Sequence, residues 1–337
     1  MTAVPQQRIT ARDLPEIRAE LATWLADTSE HGGPETWARH LHPDVAAQER
    51  RDAAQVSTSL RAAQLFYVGT DMAQLAEAAG AALPAYRLHP EDLPAPHGLL
   101  VWEKPITETV HGGELTAAAI TAVTWAVRGN NVYVRTWATR ETWLELMAEG
   151  DPKIGMEPLS HAEVRDLRLQ NPQPIVCQAV TRLPFGKVPG WVPGIAAEAG
   201  ENRLTMIEDK ARASARVEAV ERALVVTWLL MGQTLVREEH VHAPKSAVKR
   251  IGRLDPNLLT SVRYVQLRHR SLLPEQTGSV EGAGRAYQNR WIVSGHWRNQ
   301  WYPSRQDHRP IWIDSHFKGP DGAPILDPDK LVNVLRR

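Results

Sequence analysis

The segment IEDKARASARVEAVERALVVTWLLM, residues 207–231, decides the fold class. It holds no proline and is rich in Ala, Glu and Arg, which are strong helix formers, and Gly232 stands where a helix would end. The spacing predicts one long helix. From Ala223 to Met231 it is apolar on every side, so that end must lie between other layers. Strand-like runs follow at Thr234 to His242, Ser261 to His269, Arg290 to Trp301, Arg309 to His316 and Leu331 to Leu335, separated by Pro- or Gly-bearing segments. A long helix followed by such a set predicts an antiparallel sheet packed on it, and so an α+β fold.

Upstream, Leu14, Ile17, Leu21, Trp24 and Leu25 fall on one helical face that Gly32, Gly33 and Pro34 terminate. A second helix is expected from Asp44 toward Leu65, and a third over Asp71 to Ala82 with Thr70 as its cap. Pro90, Pro94 and Pro96 make Leu88 to His97 a turn-rich connector. Gly98 to Glu103 reads as a strand, and Ala117 to Val127 and Val132 to Ala138 flank Gly129-Asn130-Asn131 as a hairpin, before Arg140 to Glu149 returns to helix. The density of Pro and Gly between Gly150 and Asn202 argues against long elements there. Three parts are expected: a helical α+β domain over 1–150 with a small sheet, a connector over 151–202, and the long helix with a basic antiparallel β module over 203–337.

A chain 43% hydrophobic and 23% charged has the make-up of a folded domain. No run reaches the roughly 18 apolar residues of a membrane span, and Met1 to Arg12 is polar and unlike a secretory signal, so no membrane contact and a cytoplasmic location are expected. Cys177 is the only cysteine, which excludes an internal disulfide and a multi-thiolate metal site. Its apolar neighbours predict an inert thiol on a buried strand.

The net charge of zero hides an asymmetry. Residues 237–337 hold 17 Lys and Arg against 10 Asp and Glu, and from Lys245 to Trp312 the balance is 12 against 4. Such a stretch attracts phosphate-rich polymers by counterion release, with RNA or DNA as partner. It equally suits docking on an acidic protein, or on the acidic N-terminal portion of the same chain.

Within it stands RWIVSGHWRNQW, residues 290–301. As one strand it shows Trp291, Val293, Gly295, Trp297, Asn299 and Trp301 on a core-like face and Arg290, Ile292, Ser294, His296, Arg298 and Gln300 on the other. If Arg309 to His316 pairs with it through a turn over Tyr302 to His308, then His296, Arg298, His308, Arg309 and His316 converge. Cations neutralise phosphate and exposed aromatic rings stack on bases. The expected contacts are Arg250, Arg253, Arg290, Trp301, Tyr302 and Arg309. His296, Arg298 and His316 are the candidate catalytic group, since paired histidines and an arginine suffice to cleave RNA without a metal. The same strand can also be purely structural, its guanidinium groups stacked on indole and its imidazoles bonded to carbonyls.

His240, His242 and Glu238 share one face of a strand, a metal-competent set whose spacing fits a solvated edge strand better, and no cofactor or metal is expected. Phosphate-loop, dinucleotide, zincin and nucleophile-elbow motifs are absent.

The segment GHWRNQWYPSRQDHRPIWIDSHFKGPDGAPI, residues 295–325, resembles the closing motif of a group of uncharacterised bacterial and phage-encoded proteins, and LPAPHGLLVWE, residues 93–103, resembles a second recurring element of that group. The resemblance implies a mobile-element or phage-related setting and no reaction type. Together these features predict a nucleic-acid-interacting protein of a mobile-element, phage or defence context, with metal-independent RNA cleavage as its finer form. The alternative is a non-enzymatic module that docks its basic C-terminal sheet on an acidic partner.

Overall fold

A computed structural model describes residues 8–31, 43–106, 119–150, 157–187, 210–268, 289–303, 306–320 and 323–324. The chain divides into two compact units, one of Met1–Ala81 with Ala85–Leu267, the other of Ala82–Pro84 with Arg268–Arg337. The expected strand over Leu331 to Leu335 lies outside the described residues.

The larger unit runs α1 (Leu14–His31), α2 (Pro43–Arg61), β1 (Gln64–Val68), α3 (Thr70–Ala81), β2 (His97–Ile106), β3 (Ile120–Arg128), β4 (Asn131–Thr139), α4 (Arg140–Glu149), α5 (His161–Gln170), β5 (Ile175–Pro184), α6 (Lys210–Met231), β6 (Val236–His242), α7 (Lys245–Leu254) and β7 (Ser261–Leu267). Its seven strands lie in the order β5-β4-β3-β2-β1-β7-β6. β1 is parallel to both of its neighbours, β2 and β7, and the remaining pairs are antiparallel.

Both faces of this sheet are covered, and Leu65, Phe66, Tyr67 and Val68 of β1 are all buried. One face carries Leu65, Tyr67, Leu99, Val101, Ala122 and Trp137 against α1 and α2. On the other, the Phe66 ring stacks on Trp125 at 5.5 Å, and Trp125 meets Trp228 of α6 edge-on at 5.2 Å. α3 lies beside α6, with Gly80 against the backbone of Arg222 and Ala223.

Gly98 makes room for this aromatic stack. It lies opposite Trp125 in the ladder, and a Cβ there would overlap three atoms of the indole, the farthest only 2.6 Å away. The indole lies over the glycine and its Nε1 donates to the Ala95 carbonyl at 2.8 Å.

The mixed α+β composition and the long helix agree with the sequence reading. The arrangement differs in three respects. First, α6 packs on a mixed sheet that joins strands from both halves of the chain, because β7 pairs with β1 and carries β6 on its far side, rather than either pairing with the strands that follow. Second, β1 stands where the second helix was expected to continue. Its run QLFYV is too short and too evenly apolar for periodicity to separate a buried strand from a helix end. Third, the Pro-rich stretch expected to lack long elements contains α5 and the ten-residue strand β5. Pro174 precedes that strand and Pro184 is its last residue, so neither interrupts the ladder within. α5 is fixed locally by Ser160, whose hydroxyl accepts from the Glu163 amide while the Glu163 carboxylate takes the Ser160 amide at 2.8 Å.

Arg18 of α1 is fully buried. It donates to the carbonyl of Ala63 at 3.2 Å and to that of Leu259, tying α1 to the turn before β1 and the loop before β7. Burial pushes its pKa down to about 10 against the opposing pull of Asp255. Among the described residues, no helix is long and apolar enough to cross a membrane.

The smaller unit contains β8 (Trp291–Val293), β9 (His296–Tyr302), β10 (Asp307–Ile313) and β11 (His316–Lys318), with β9 paired to β10 and β8 to β11, both antiparallel.

Candidate nucleic-acid interface

The predicted hairpin is present, and its register decides which side chains meet. Trp297 lies opposite Trp312, Arg298 opposite Ile311, Gln300 opposite Arg309, and Trp301 opposite His308. Directly opposed residues share a face, and residues two apart on a strand do too. His296, Arg298 and Gln300 therefore share one face with Arg309. Trp297, Asn299 and Trp301 share the other with His308 and Trp312.

The expected convergence of five residues is corrected by this register. His296, Arg298 and Arg309 share one face, whereas His308 lies against Trp301 on the other, with ring centroids 4.9 Å apart and planes at 55°. His316 pairs opposite Val293 on β11, in the ladder that β8 forms. The two ladders keep one register, and pairing lapses only at Ser294 and Gly295 opposite Asp314 and Ser315. The single strand expected over 290–301 is thus split. Gly295 makes room for an indole at this point: an added Cβ would run into the Trp312 ring, which lies edge-on to Trp297 at 5.3 Å.

The lapse gives both histidines a structural task. His296 Nδ1 is 3.0 Å from the carbonyl of Ser294, and His316 Nδ1 is 3.0 Å from that of Asp314. Each imidazole bonds a carbonyl two residues back, at the point where the ladder supplies no partner. Arg298 donates to Gln300 Oε1 at 2.9 Å. The Arg290 guanidinium lies over the Phe317 ring at 5.2 Å, the stacking foreseen as the purely structural outcome. Trp301 is 44% exposed, the most open of the large aromatics on this hairpin, and Tyr302 beside it is half-buried.

Arg250 and Arg253 belong to the other unit, on α7. Arg250 forks onto Glu16 of α1, with Nη2 to Oε2 at 2.7 Å, and the pair holds the Glu16 carboxyl below the usual carboxylate range. It is thus engaged within the protein, where sequence reading had offered it to phosphate. Arg253 is exposed.

The face shared by Glu238, His240 and His242 is also committed. Arg263 donates to Glu238 at 2.6 and 2.8 Å, and His240 Nδ1 lies 3.0 Å from Ser261 Oγ. Among the described residues no group of three His, Cys, Asp or Glu side chains is placed to hold a metal ion. Cys177 is exposed on β5, the outermost strand of the sheet among the described residues, where a buried strand was expected.

No family model matches the chain, and no curated protein does. Among solved structures, the crystal structure of AcrVA2 aligns with 91% of this chain and 94% of that one, at 12% identity and a TM-score of 0.37. A likeness that distant carries no argument about function.

Sequence reasoning gave no hint of a cleft of about 390 Å³ in the larger unit. It is bordered by Asp13, Glu16 and Glu20 of the α1 region and by Arg8, Arg140 and Glu141. These groups are largely neutralised in place: Arg8 pairs with Glu103 at 2.5 Å, Glu16 with Arg250, and Glu141 with Arg140 and Arg168. The lining comes from three separate segments, 8–20, 139–141 and 172–174, so no local spacing signals it.

Proposed function

We propose that the chain is a nucleic-acid-interacting protein of a mobile-element, phage or defence setting, and that the β9–β10 hairpin contacts the nucleic acid. The observation that carries this reading is the two-sided hairpin: exposed Trp301 against His308 on one face, and His296, Arg298 and Arg309 on the other. An open indole offers a stacking platform to any base, and the guanidinium groups offer charge to phosphate.

The register favours binding over RNA cleavage. Metal-independent cleavage needs one group to take the 2′-hydroxyl proton and another to protonate the leaving oxygen. His296 and His316 lie in separate ladders, and each already holds a backbone carbonyl.

The test is fluorescence anisotropy with single-stranded RNA, comparing the parent with Trp301→Ala and Arg298→Ala after melting shows each to be folded. Loss of one stacked base, worth about 1–3 kcal/mol, weakens binding by Trp301→Ala about 5- to 150-fold. Arg298→Ala gives a shallower salt dependence. A parent with no affinity for RNA or DNA at low salt refutes the reading and leaves docking on an acidic protein. That second reading has its own support in the exposed apolar side chains of Val248, Leu254 and Leu259 on and beside the basic helix α7.

A further inference from the structure

The outer face of α7 carries Lys245, Lys249 and Arg253 at successive four-residue steps, one straight row on a helix. The opposite side buries Ala247 and Ile251, the latter against Ala19 and Leu258. The row is therefore held facing outward by a packed core.

Two features separate it from an ordinary solvated face. Several cations elsewhere on this unit are matched to carboxylates: Arg8 to Glu103, Arg61 to Asp255, Arg140 and Arg168 to Glu141, and Arg263 to Glu238. Among the described residues Lys245, Lys249 and Arg253 have no such partner, and no acidic residue occurs between His242 and Leu254. The helix also breaks the local rules that would stabilise it. Its first turn holds Lys245 and no acid, and Pro244 at the cap makes no side-chain bond, so the positive end of the helix dipole is met by a positive side chain. Gly252 stands in the last turn of the helix, and a Cβ in its place would meet nothing within 4 Å. Departures of this kind from local stability are characteristic of binding surfaces.

From this we infer that the Lys245–Lys249–Arg253 row of α7 is a sequence-independent seat for the sugar–phosphate backbone of a nucleic acid, an inference that rests on the nucleic-acid reading above and adds a second contact surface to it. The three cations are about 6 Å apart along the axis, about 12 Å from first to last, enough to meet three or four phosphates of one strand. The surface supplies charge without base-reading side chains, so it adds affinity and no sequence preference.

The experiment is salt-dependent anisotropy on the full chain with mixed-sequence single-stranded RNA and double-stranded DNA. The parent is compared with the triple variant Lys245→Gln, Lys249→Gln and Arg253→Gln, and with Arg250→Gln. Glutamine keeps helix propensity, and circular dichroism verifies the fold. The triple variant is expected to lower the slope of log affinity against log salt by about 2.7 on the duplex and about 2.1 on the single strand, while Arg250→Gln leaves it unchanged. A parent that binds with a slope the triple variant does not alter overturns the seat on α7 and leaves the hairpin reading to the Trp301→Ala result. A parent that binds no nucleic acid overturns both. Binding of polyglutamate alone, lost in the triple variant, overturns the nucleic-acid assignment and makes the row a dock for an acidic protein.

Discussion

Replacing Gly98 with alanine places a methyl group in space that the Trp125 indole occupies, with three ring atoms inside 2.6 Å. The ring has no easy retreat. Phe66 stacks on it at 5.5 Å, Trp228 meets it edge-on at 5.2 Å, and its Nε1 is bonded to Ala95 at 2.8 Å. Overpacking of this kind costs about 1–3 kcal/mol, and if the indole swings aside the unmade buried hydrogen bond costs about 1–3 kcal/mol more. For a unit of this size each kcal/mol lowers the melting temperature by about 2–4 °C, so Gly98→Ala is expected to melt about 5–20 °C below the parent. The mechanism is isolated by repeating the change in a Trp125→Leu background, where the methyl group meets a smaller side chain and the added cost falls below about 1 kcal/mol. Equal cost in both backgrounds, or an unshifted melt for the single variant, refutes the close-approach argument.

Two further outcomes follow from the geometry. Trp297 is half-buried and its ring meets that of Trp312 edge-on, so Trp297→Ala in thermal melts should cost about 1–2 kcal/mol, well under the 3–5 kcal/mol of a fully buried indole. Glu16 has its carboxyl pKa lowered chiefly by the Arg250 hydrogen bond, so this pair contributes stability above the unfolded pKa of about 4.5 that is lost as pH falls through the lower folded value. In Arg250→Gln the Glu16 titration followed by carbon NMR moves up toward that value, and the corresponding acid-dependent part of the stability disappears.

The sequence discloses what depends on neighbours along the chain. The helix ending at Gly232, the Gly129-Asn130 hairpin and the turn after Tyr302 all carry their signals within a few residues, and all are present. Pairings set at a distance are not legible in this way. Nothing near Gln64–Val68 announces that this short run lies at the middle of a sheet between β2 and β7, since its partner Arg263 is almost two hundred positions away. The same holds for Arg250, whose local surroundings read as free positive charge until Glu16, 234 residues distant, is brought beside it. In the hairpin, the alternation of Trp and basic residues separates the two faces of β9, but the Trp face expected to be core-like is not one: Trp297 is half-buried, and Asn299 and Trp301 are exposed. The placement of His308 and His316 depended on the exact register across the turn, and a one-residue shift exchanges faces.

The central position of β1 has a consequence for synthesis on the ribosome. β1 and β2 can pair as soon as both have emerged, but the other side of β1 is filled by β7, which begins at Ser261. At elongation rates of about 5–20 residues per second, the intervening segment takes on the order of ten to forty seconds to make. During that interval the nascent chain carries an open, largely apolar strand edge, and Arg18 lacks its acceptor on Leu259. This is the period when a chaperone would find the chain most in need of shielding. Slowing translation between β2 and β7 should lengthen it and lower the soluble yield, whereas slowing after Leu267 should not.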